Sequence, residues 1–264
     1  RLRSSYLRQE SLSRTDNVPF RYMKQLREQG AYIGFVDETW IHGGMRNNKQ
    51  WIDKNADKRP FEALNSGLTA GPLAAMTRGE RLVVVAMLTE DGLKCGRVWR
   101  TGKVDDGTDY HGQMESKKYE RYCKEELFPE LKRLADIAGK TPVFCQDNAS
   151  YHSRFSIKIA RFVNYNTNVL YEKFIKPLPE SKYNVLAIER IGEECGVTVV
   201  RLPPYHCLYN PIEHTWSWVK GRAKARFEAG DKKDDIVKKV EEVMNEVTID
   251  MSKRWIAHAR KVEE

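Results

Sequence analysis

The stretch Arg81-Leu-Val-Val-Val-Ala-Met-Leu-Thr89 limits most sharply what this chain can become. A short apolar run dominated by β-branched residues reads as a strand. The turn residues Glu90-Asp91-Gly92 follow it, and Cys95–Thr101 reads as the returning half of a hairpin. Other short apolar runs are Ala31-Tyr-Ile-Gly-Phe-Val36, Thr141-Pro-Val-Phe-Cys-Gln146 and Val197–Leu202. Helical spacing fills the intervals between them. Tyr119, Tyr122, Leu127, Leu131 and Leu134 mark a helix over Glu115–Ile137, which Pro129 kinks or breaks. Shorter helices are predicted over about 154–163 and over 181–195, the latter from Val185, Ile188, Ile191 and Cys195. The rest are predicted at 211–226, at Asp231–Val247 and at 250–262. A hairpin, a helix and then β-α-β-α units predict a mixed α/β sheet covered by helices on both faces.

Around that sheet the organisation follows composition. Residues 1–30 are polar and basic and are expected to be a linker or the remnant of an N-terminal region, with possible helical pieces at Leu2–Leu12 and Phe20–Gln29. Residues 41–80 are rich in Gly, Asn and Pro, the composition of a long structured excursion, within which Trp51 is expected in a minor strand. Residues 164–195 are expected as a helical insertion before the last strand, and 231–264 as helices packed on the same domain.

The 264 residues suffice for a substantial core, and 41% of them are apolar. No apolar run approaches the ~18 residues of a membrane span. Five cysteines, none in a CxxC pair, argue against a disulfide framework and for a reducing compartment. His206-Cys207 lacks the second ligand pair of a zinc site. A net charge of +8 favours a polyanionic partner without identifying one.

Chemistry is carried by acids. Asp37 and Asp147 each follow a short apolar strand, and Glu213 lies in the first turn of a helix after a third strand. If these strands are neighbours, the acids converge at one sheet edge, where open α/β sheets bind ligands. Converged carboxylates repel unless a cation neutralises them, and Mg²⁺ is the natural partner for such oxygen ligands. Each acid also has a local reading. Asp37 and Asp147 are candidates for turn or cap residues, and Glu213, three residues after a cap-type Asn210, for the reaching member of a capping box. Asn210-Pro211 is predicted to start the helix, with Asn210 as cap and Pro211 in the first turn.

The surrounding residues add a resemblance. Val36-Asp37-Glu38-Thr39-Trp40, Gln146-Asp147-Asn148-Ala-Ser-Tyr-His152 and Leu202-Pro-Pro-Tyr-His-Cys-Leu-Tyr-Asn210-Pro-Ile-Glu213-His-Thr-Trp216 resemble the DDE endonuclease domain of mariner-superfamily transposases. Gly79-Glu-Arg-Leu before the hairpin, Asp109-Tyr-His-Gly-Gln-Met114, Leu127-Phe-Pro-Glu-Leu131, and Trp255 with His258 near the end are smaller echoes, and the likeness runs in order from about residue 31 to 260. The resemblance implies an RNase H-like fold over 31–230 with Asp37, Asp147 and Glu213 as catalytic, metal-binding residues. It implies two Mg²⁺ or Mn²⁺ ions, cutting of DNA ends, joining of the freed 3′-OH to target DNA, a homodimer, and a nuclear location if the host is eukaryotic. By position, 41–80 matches the relatives' linker and clamp loop. Asn148, His152 and Asn210 would orient carboxylates or contact phosphate, though each also suits a purely structural place. Trp40 and Trp216 are expected in the core rather than stacked on DNA.

Two departures qualify this expectation. Between Asp147 and Glu213 lie 65 residues, more than in the best-known members, as in longer-spaced branches with a helical insertion. Thirty residues before the first strand cannot hold the helix-turn-helix region that reads transposon ends in relatives, so that function is expected elsewhere or lost. A domesticated, non-catalytic DNA-binding or protein-interaction scaffold is the alternative, and an enzyme acting on RNA–DNA hybrids would suit the same fold. Lys220, Arg222, Lys224 and Arg226 are candidate DNA contacts, split by helical rotation into Lys220/Lys224 and Arg222/Arg226.

Overall fold

The computed structural model describes residues 18–45, 81–100, 116–149, 152, 154, 186–202, 209–228 and 230–263. Its centre is a sheet in which β1 (Ala31–His42), β2 (Arg81–Thr89) and β3 (Gly92–Arg100) run antiparallel, while β4 (Thr141–Gln146) and β5 (Thr198–Arg201) run parallel to β1. The order across the sheet is β3-β2-β1-β4-β5. The helices are α1 (Val18–Glu28), α2 (Ser116–Tyr122), α3 (Phe128–Ala138), α4 (Ala187–Glu194), α5 (Ile212–Arg226), α6 (Lys233–Asn245) and α7 (Ile249–Glu263). This is the mixed, helix-covered sheet expected.

Side chains that alternate along the strands build a separate core on each face. Ile33, Phe35, Ile41, Val84, Ala86, Val143 and Cys145 pack with α1, α5, α6 and α7. Tyr32, Val36, Val83, Val85, Met87 and Phe144 pack with α2, α3 and α4. On this second face Gly34 lets α3 close on the sheet, since a Cβ there would stand 2.6 Å from Met87 Sδ and 3.0 Å from Leu131 Cδ1. Met23 and Leu26 of α1 are buried in the first core, so this helix, within the segment expected as a linker, packs as part of the domain. Ile236, Val240, Val243 and Met244 of α6 join the same core as their spacing predicted.

Local differences have physical causes. The strand expected to stop at Val36 continues to His42, because β2 supplies an antiparallel partner as far as His42↔Arg81. Between α2 and α3 the helix does not break at Pro129; it widens into a π turn over Cys123–Leu127, where the Phe128 N–H bonds the Cys123 carbonyl. A π turn shifts the bonding register just before a residue that has no N–H to donate. In β3 the pair Cys95-Gly96 stands opposite Ala86 alone, a bulge with Cys95 at φ 51.

The expected insertion lies largely outside the described residues, but its two ends do not. Ala187 N–H bonds the Arg154 carbonyl at 2.7 Å, so chain departure and return share one place. Most of the 41–80 excursion, the helices expected at Leu2–Leu12 and 154–163, and Pro203-Pro204 also lie outside the described residues. Among the described residues no helix is long and apolar enough to cross a membrane. Cys95, Cys123, Cys145 and Cys195 are free thiols.

Candidate active site

The β1/β4 pairing decides where the first two acids stand. Its parallel ladder ends at Val36↔Gln146, so Asp37 and Asp147 are the next residues on adjacent strands. Asp37 is therefore mid-strand in β1, beyond the end of the parallel ladder rather than at a strand end. Its pleat directs it to the first face, where α5 brings Trp216. The Trp216 indole N–H donates to Asp37 Oδ2 at 3.1 Å. Both residues are buried, Asp37 to 8% exposure and Trp216 to 1%.

Burial pushes the Asp37 carboxyl well above the usual carboxylate range, and the charges of Glu38, Glu213 and Asp147 push it further. The Glu38 backbone N–H opposes this without reversing it. Glu213, exposed in the first turn of α5, is thus within electrostatic reach of Asp37.

Glu38 is the next residue on β1, so it projects from the opposite face. There its Oε1 stands 3.3 Å from His152 Nε2, while His152 Nδ1 stands 2.8 Å from Asp147 Oδ1. The imidazole is fully buried between the two carboxylates, with the Tyr119 ring 4.2 Å from it, centroid to centroid. Tyr119 in turn donates its hydroxyl proton to Gln146 Oε1 at 2.9 Å. Burial alone would lower the His152 pKa, but the bonds to Asp147 and Glu38 lift it to about 9. For Asp147 burial acts upward, and the His152 bond and charge outweigh it, holding the carboxyl below its ordinary value.

Asp147 Oδ1 also accepts the Ala149 N–H at 3.0 Å, the local turn bond that its position in Asp-Asn-Ala-Ser suggested. No hydrogen bond from a described residue occupies its Oδ2. Farther along, Arg154 makes a partly buried two-point ion pair with Glu120 of α2, one contact being Nε to Oε1 at 2.7 Å. This anchors the segment that carries His152.

The start of α5 differs from expectation. Pro211 occupies the cap position, no side chain caps the helix, and the first turn closes through Glu213 N–H to the Asn210 carbonyl at 3.1 Å. Glu213 forms no capping box, and its carboxylate is left available. Asn210 is buried, and its Oδ1 has no hydrogen-bond partner among the described residues.

With this geometry in place, the comparisons are informative. A family model described as DDE superfamily endonuclease matches residues 93–235, more than half of the chain. The chain belongs to this family.

Solved structures share the fold of this DDE domain. The Mos1 mariner paired end complex with Mn is 13% identical, with a TM-score of 0.59 over 100% of this chain and 62% of that one. The Mos1 strand transfer complex is 15% identical, with a TM-score of 0.57 over 96% of this chain and 60% of that one. The catalytic domain of Mos1 mariner transposase is 11% identical, with a TM-score of 0.52 over 100% of this chain and 92% of that domain. The chain therefore spans about three-fifths of the transposase chains in the complexes and nearly all of the isolated catalytic domain. The sheet is of the RNase H-like kind expected. A search of curated proteins finds no match.

The remaining candidates of the DDE domain separate clearly. His152 is at the site and bonded to Asp147, whereas Asn148 is exposed and makes no hydrogen bond among the described residues. Trp40, expected in the core, is 39% exposed with the Arg81 guanidinium 5.9 Å from its ring centroid. Arg226 is tied to Glu246, the residue that ends α6, while Lys220, Arg222 and Lys224 meet no carboxylate among the described residues. Sequence reasoning missed Glu38 and Tyr119 as parts of the site and the Trp216 bond to Asp37. Alternation along β1 is the signal that sends Glu38 to the opposite face from Asp37; nothing in the linear pattern marks Tyr119.

The donor set fits a divalent cation. It consists of hard carboxylate oxygens, one of them held in an unfavourable electrostatic setting that positive charge would relieve. Among the described residues, no three Asp, Glu, His or Cys groups stand close enough together to hold an ion as the chain is arranged here.

Proposed function

We propose that this DDE domain is a metal-dependent DNA endonuclease and strand transferase, with Asp37, Asp147 and Glu213 holding Mg²⁺ or Mn²⁺. The observation that carries the reading is the pairing that sets Asp37 beside Asp147, with the buried Asp37 carboxyl raised by its burial and then by Glu38, Glu213 and Asp147. Such an arrangement is unfavourable for folding and useful for binding a cation. Mos1 structures described as containing Mn or Mg support the choice of metal. When bound, two ions would supply activation of water or a 3′-hydroxyl and neutralisation of the leaving oxygen.

The chain's own residues do the positioning. Trp216 fixes one oxygen of Asp37, and His152 with the Ala149 N–H fixes Oδ1 of Asp147, which leaves Oδ2 for the ion. Glu213 is presented by the first turn of α5, and Asn210 Oδ1 beside that turn, unpartnered among the described residues, is suited to orient a ligating group or water. Lys220 and Lys224 follow Glu213 by seven and eleven residues, which puts them on its side of α5 at ~100° per residue. They are the pair placed to meet phosphates. Arg222 stands over Trp218, and Arg226 is spoken for by Glu246. DNA is the partner proposed, with two copies of the chain acting on paired ends, in the nucleus if the host is eukaryotic.

The test is nicking of supercoiled plasmid with Mg²⁺ or Mn²⁺. Asp37→Asn, Asp147→Asn and Glu213→Gln should each abolish it, and cleavage that persists in all of them and in EDTA would overturn the reading. The absence of a ready three-ligand cluster among the described residues favours the rival, a scaffold that binds DNA or a partner without cutting. A folded chain that binds DNA yet never nicks it with either metal would establish that rival.

A further inference from the structure

We propose that the seam between α5 and α7 binds an unpaired stretch of DNA, its bases stacked on the seam's aromatic rings and its phosphates tracking toward Glu213. The proposal rests on the reading that the carboxylate edge acts on DNA.

His214, Trp218 and Arg222 follow one another at four-residue spacing, so they form a row along one side of α5. From α7, Trp255 and His258 meet that row. The His214 and His258 rings stand edge to face with centroids 4.9 Å apart, and the Trp218 and Trp255 centroids are 6.5 Å apart. The Arg222 guanidinium lies 5.4 Å from the Trp218 ring centroid. Inner edges of both tryptophans pack on the first core. Core packing accounts for those edges, but not for an exposed His258 and an exposed Arg222 completing the row.

Charge identifies the occupant. From His214 to Arg226 α5 contains no acid, and neither does α7 from Met251 to Lys261. Arg226 and Arg260 are paired with Glu246 and Glu90, but Arg222, Arg254 and Lys261 meet no carboxylate among the described residues. Beside the row, a Cβ on Gly221 would meet nothing within 4 Å among the described residues. Cations that meet no carboxylate among the described residues, interleaved with partly exposed rings, suit a polyanion that also offers flat π faces. A duplex keeps its bases stacked inside and would use only the cations. An acidic peptide would likewise leave the rings unused, whereas an unpaired strand uses both.

The seam's position gives the strand its direction. His214 is the residue after Glu213, so the aromatic row begins at the carboxylate edge. Lys220 and Lys224 lie on the Glu213 side of α5, ~100° around the helix from the neighbouring row. A strand lying along α5 can thus set phosphates on the lysine side and bases on the aromatic side.

The experiment follows tryptophan fluorescence of the whole chain in EDTA during titration with oligothymidylate of about 16 nucleotides. A duplex of equal length and polyglutamate serve as competitors. Trp255→Leu should weaken oligothymidylate binding about tenfold. Trp255→Phe, which keeps a ring, should restore most of it, and duplex affinity should change little in either. Thermal melting checks folding, and exposed His258→Ala provides the same test, with a smaller loss, if Trp255→Leu melts early. Unchanged oligothymidylate binding in Trp255→Leu or, where that variant is unfolded, in His258→Ala would overturn the proposal. Polyglutamate competing as well as oligothymidylate would also overturn it, in favour of an acidic protein partner. Carboxylate-dependent nicking with unaltered oligothymidylate binding would sink only this inference. Loss of oligothymidylate binding in a chain that never nicks would sink only the enzymatic reading.

Discussion

Asp37 and Glu38 are neighbours in sequence, yet the two faces of the sheet treat them differently. On the α5 face, Asp37 is buried against a neutral donor, the Trp216 indole, and its carboxyl is pushed up. On the α2 face, Glu38 shares His152 with Asp147, and Asp147 is held down. One face is short of positive charge, and the other has already built its own. A site that must both accept a cation and keep its ligands in place can divide the work this way. On the proposed reading the deficit would attract the ion, while the satisfied half would hold Asp147 in place.

The largest effect that can break this contrast comes from Asp37→Asn. Nicking should fall at least about a thousandfold, since several kcal/mol of charge stabilisation depend on the metal. Stability in EDTA should not fall. A carboxyl raised above its unfolded value of 3.8 contributes stability that is fully present below that value and is lost as pH rises through the folded pKa. Above the unfolded value the buried Asp37 carboxyl is a burden that the amide lifts. If urea melts in EDTA show Asp37→Asn clearly less stable, Asp37 is a structural acceptor for Trp216 and the contrast fails.

His152→Ala should do the reverse, costing about 2 kcal/mol in metal-free urea unfolding by leaving the buried Glu38 and the half-exposed Asp147 without their cation. The pH dependence has a definite sign. His152 is raised from 6.5 to about 9, so its contribution is fully present below 6.5 and is lost as pH climbs through 9. The gap between the wild type and His152→Ala should therefore close at alkaline pH. A gap that is constant across that window would mean packing against Tyr119, not charge, holds the segment.

Trp216→Phe comes next, at about 2 kcal/mol of stability, because it keeps the ring and removes the donor from a buried acceptor. Mg²⁺ affinity, read by calorimetry on the same variant, should drop about tenfold as Asp37 loses its orientation. A stability loss with unaltered Mg²⁺ affinity would confine Trp216 to the core.

These variants also show where the linear pattern stops being informative. The apolar runs placed β1, β2 and β4 because burial on both faces needs continuous apolar residues, and Asp37 and Asp147 became neighbours once Val36 paired with Gln146. Polar Glu38 and Thr39 hid the extension of β1, which depends on a distant partner strand. Trp216 was legible as a core residue, but its N–H finds Asp37 only across 179 positions of sequence. Asn210 has the side chain of a cap yet does not act as one, because Pro211 takes that position and backbone bonds close the turn. The sorting of Arg226 from Lys220 and Lys224 depends on where α6 places Glu246, which no periodicity within α5 reveals.

The smallest effect, and the finest cut through the contrast, is Glu38→Gln. The amide can still offer an oxygen to His152 Nε2, so the contact at 3.3 Å survives as a neutral acceptor while its charge is gone. Stability should fall by about 1 kcal/mol, the difference between a charge-assisted and an ordinary hydrogen bond. With one of its two carboxylates removed, His152 should also titrate lower, a shift readable from its ring nitrogens by NMR in EDTA. Asp37 would lose the nearby charge that adds most to its burial, so its carboxyl should move down at the same time. The two faces would then be seen to communicate through a single residue of β1. Should His152 move and Asp37 stay, the faces are electrostatically separate, and the raised Asp37 is a matter of burial, Glu213 and Asp147 alone.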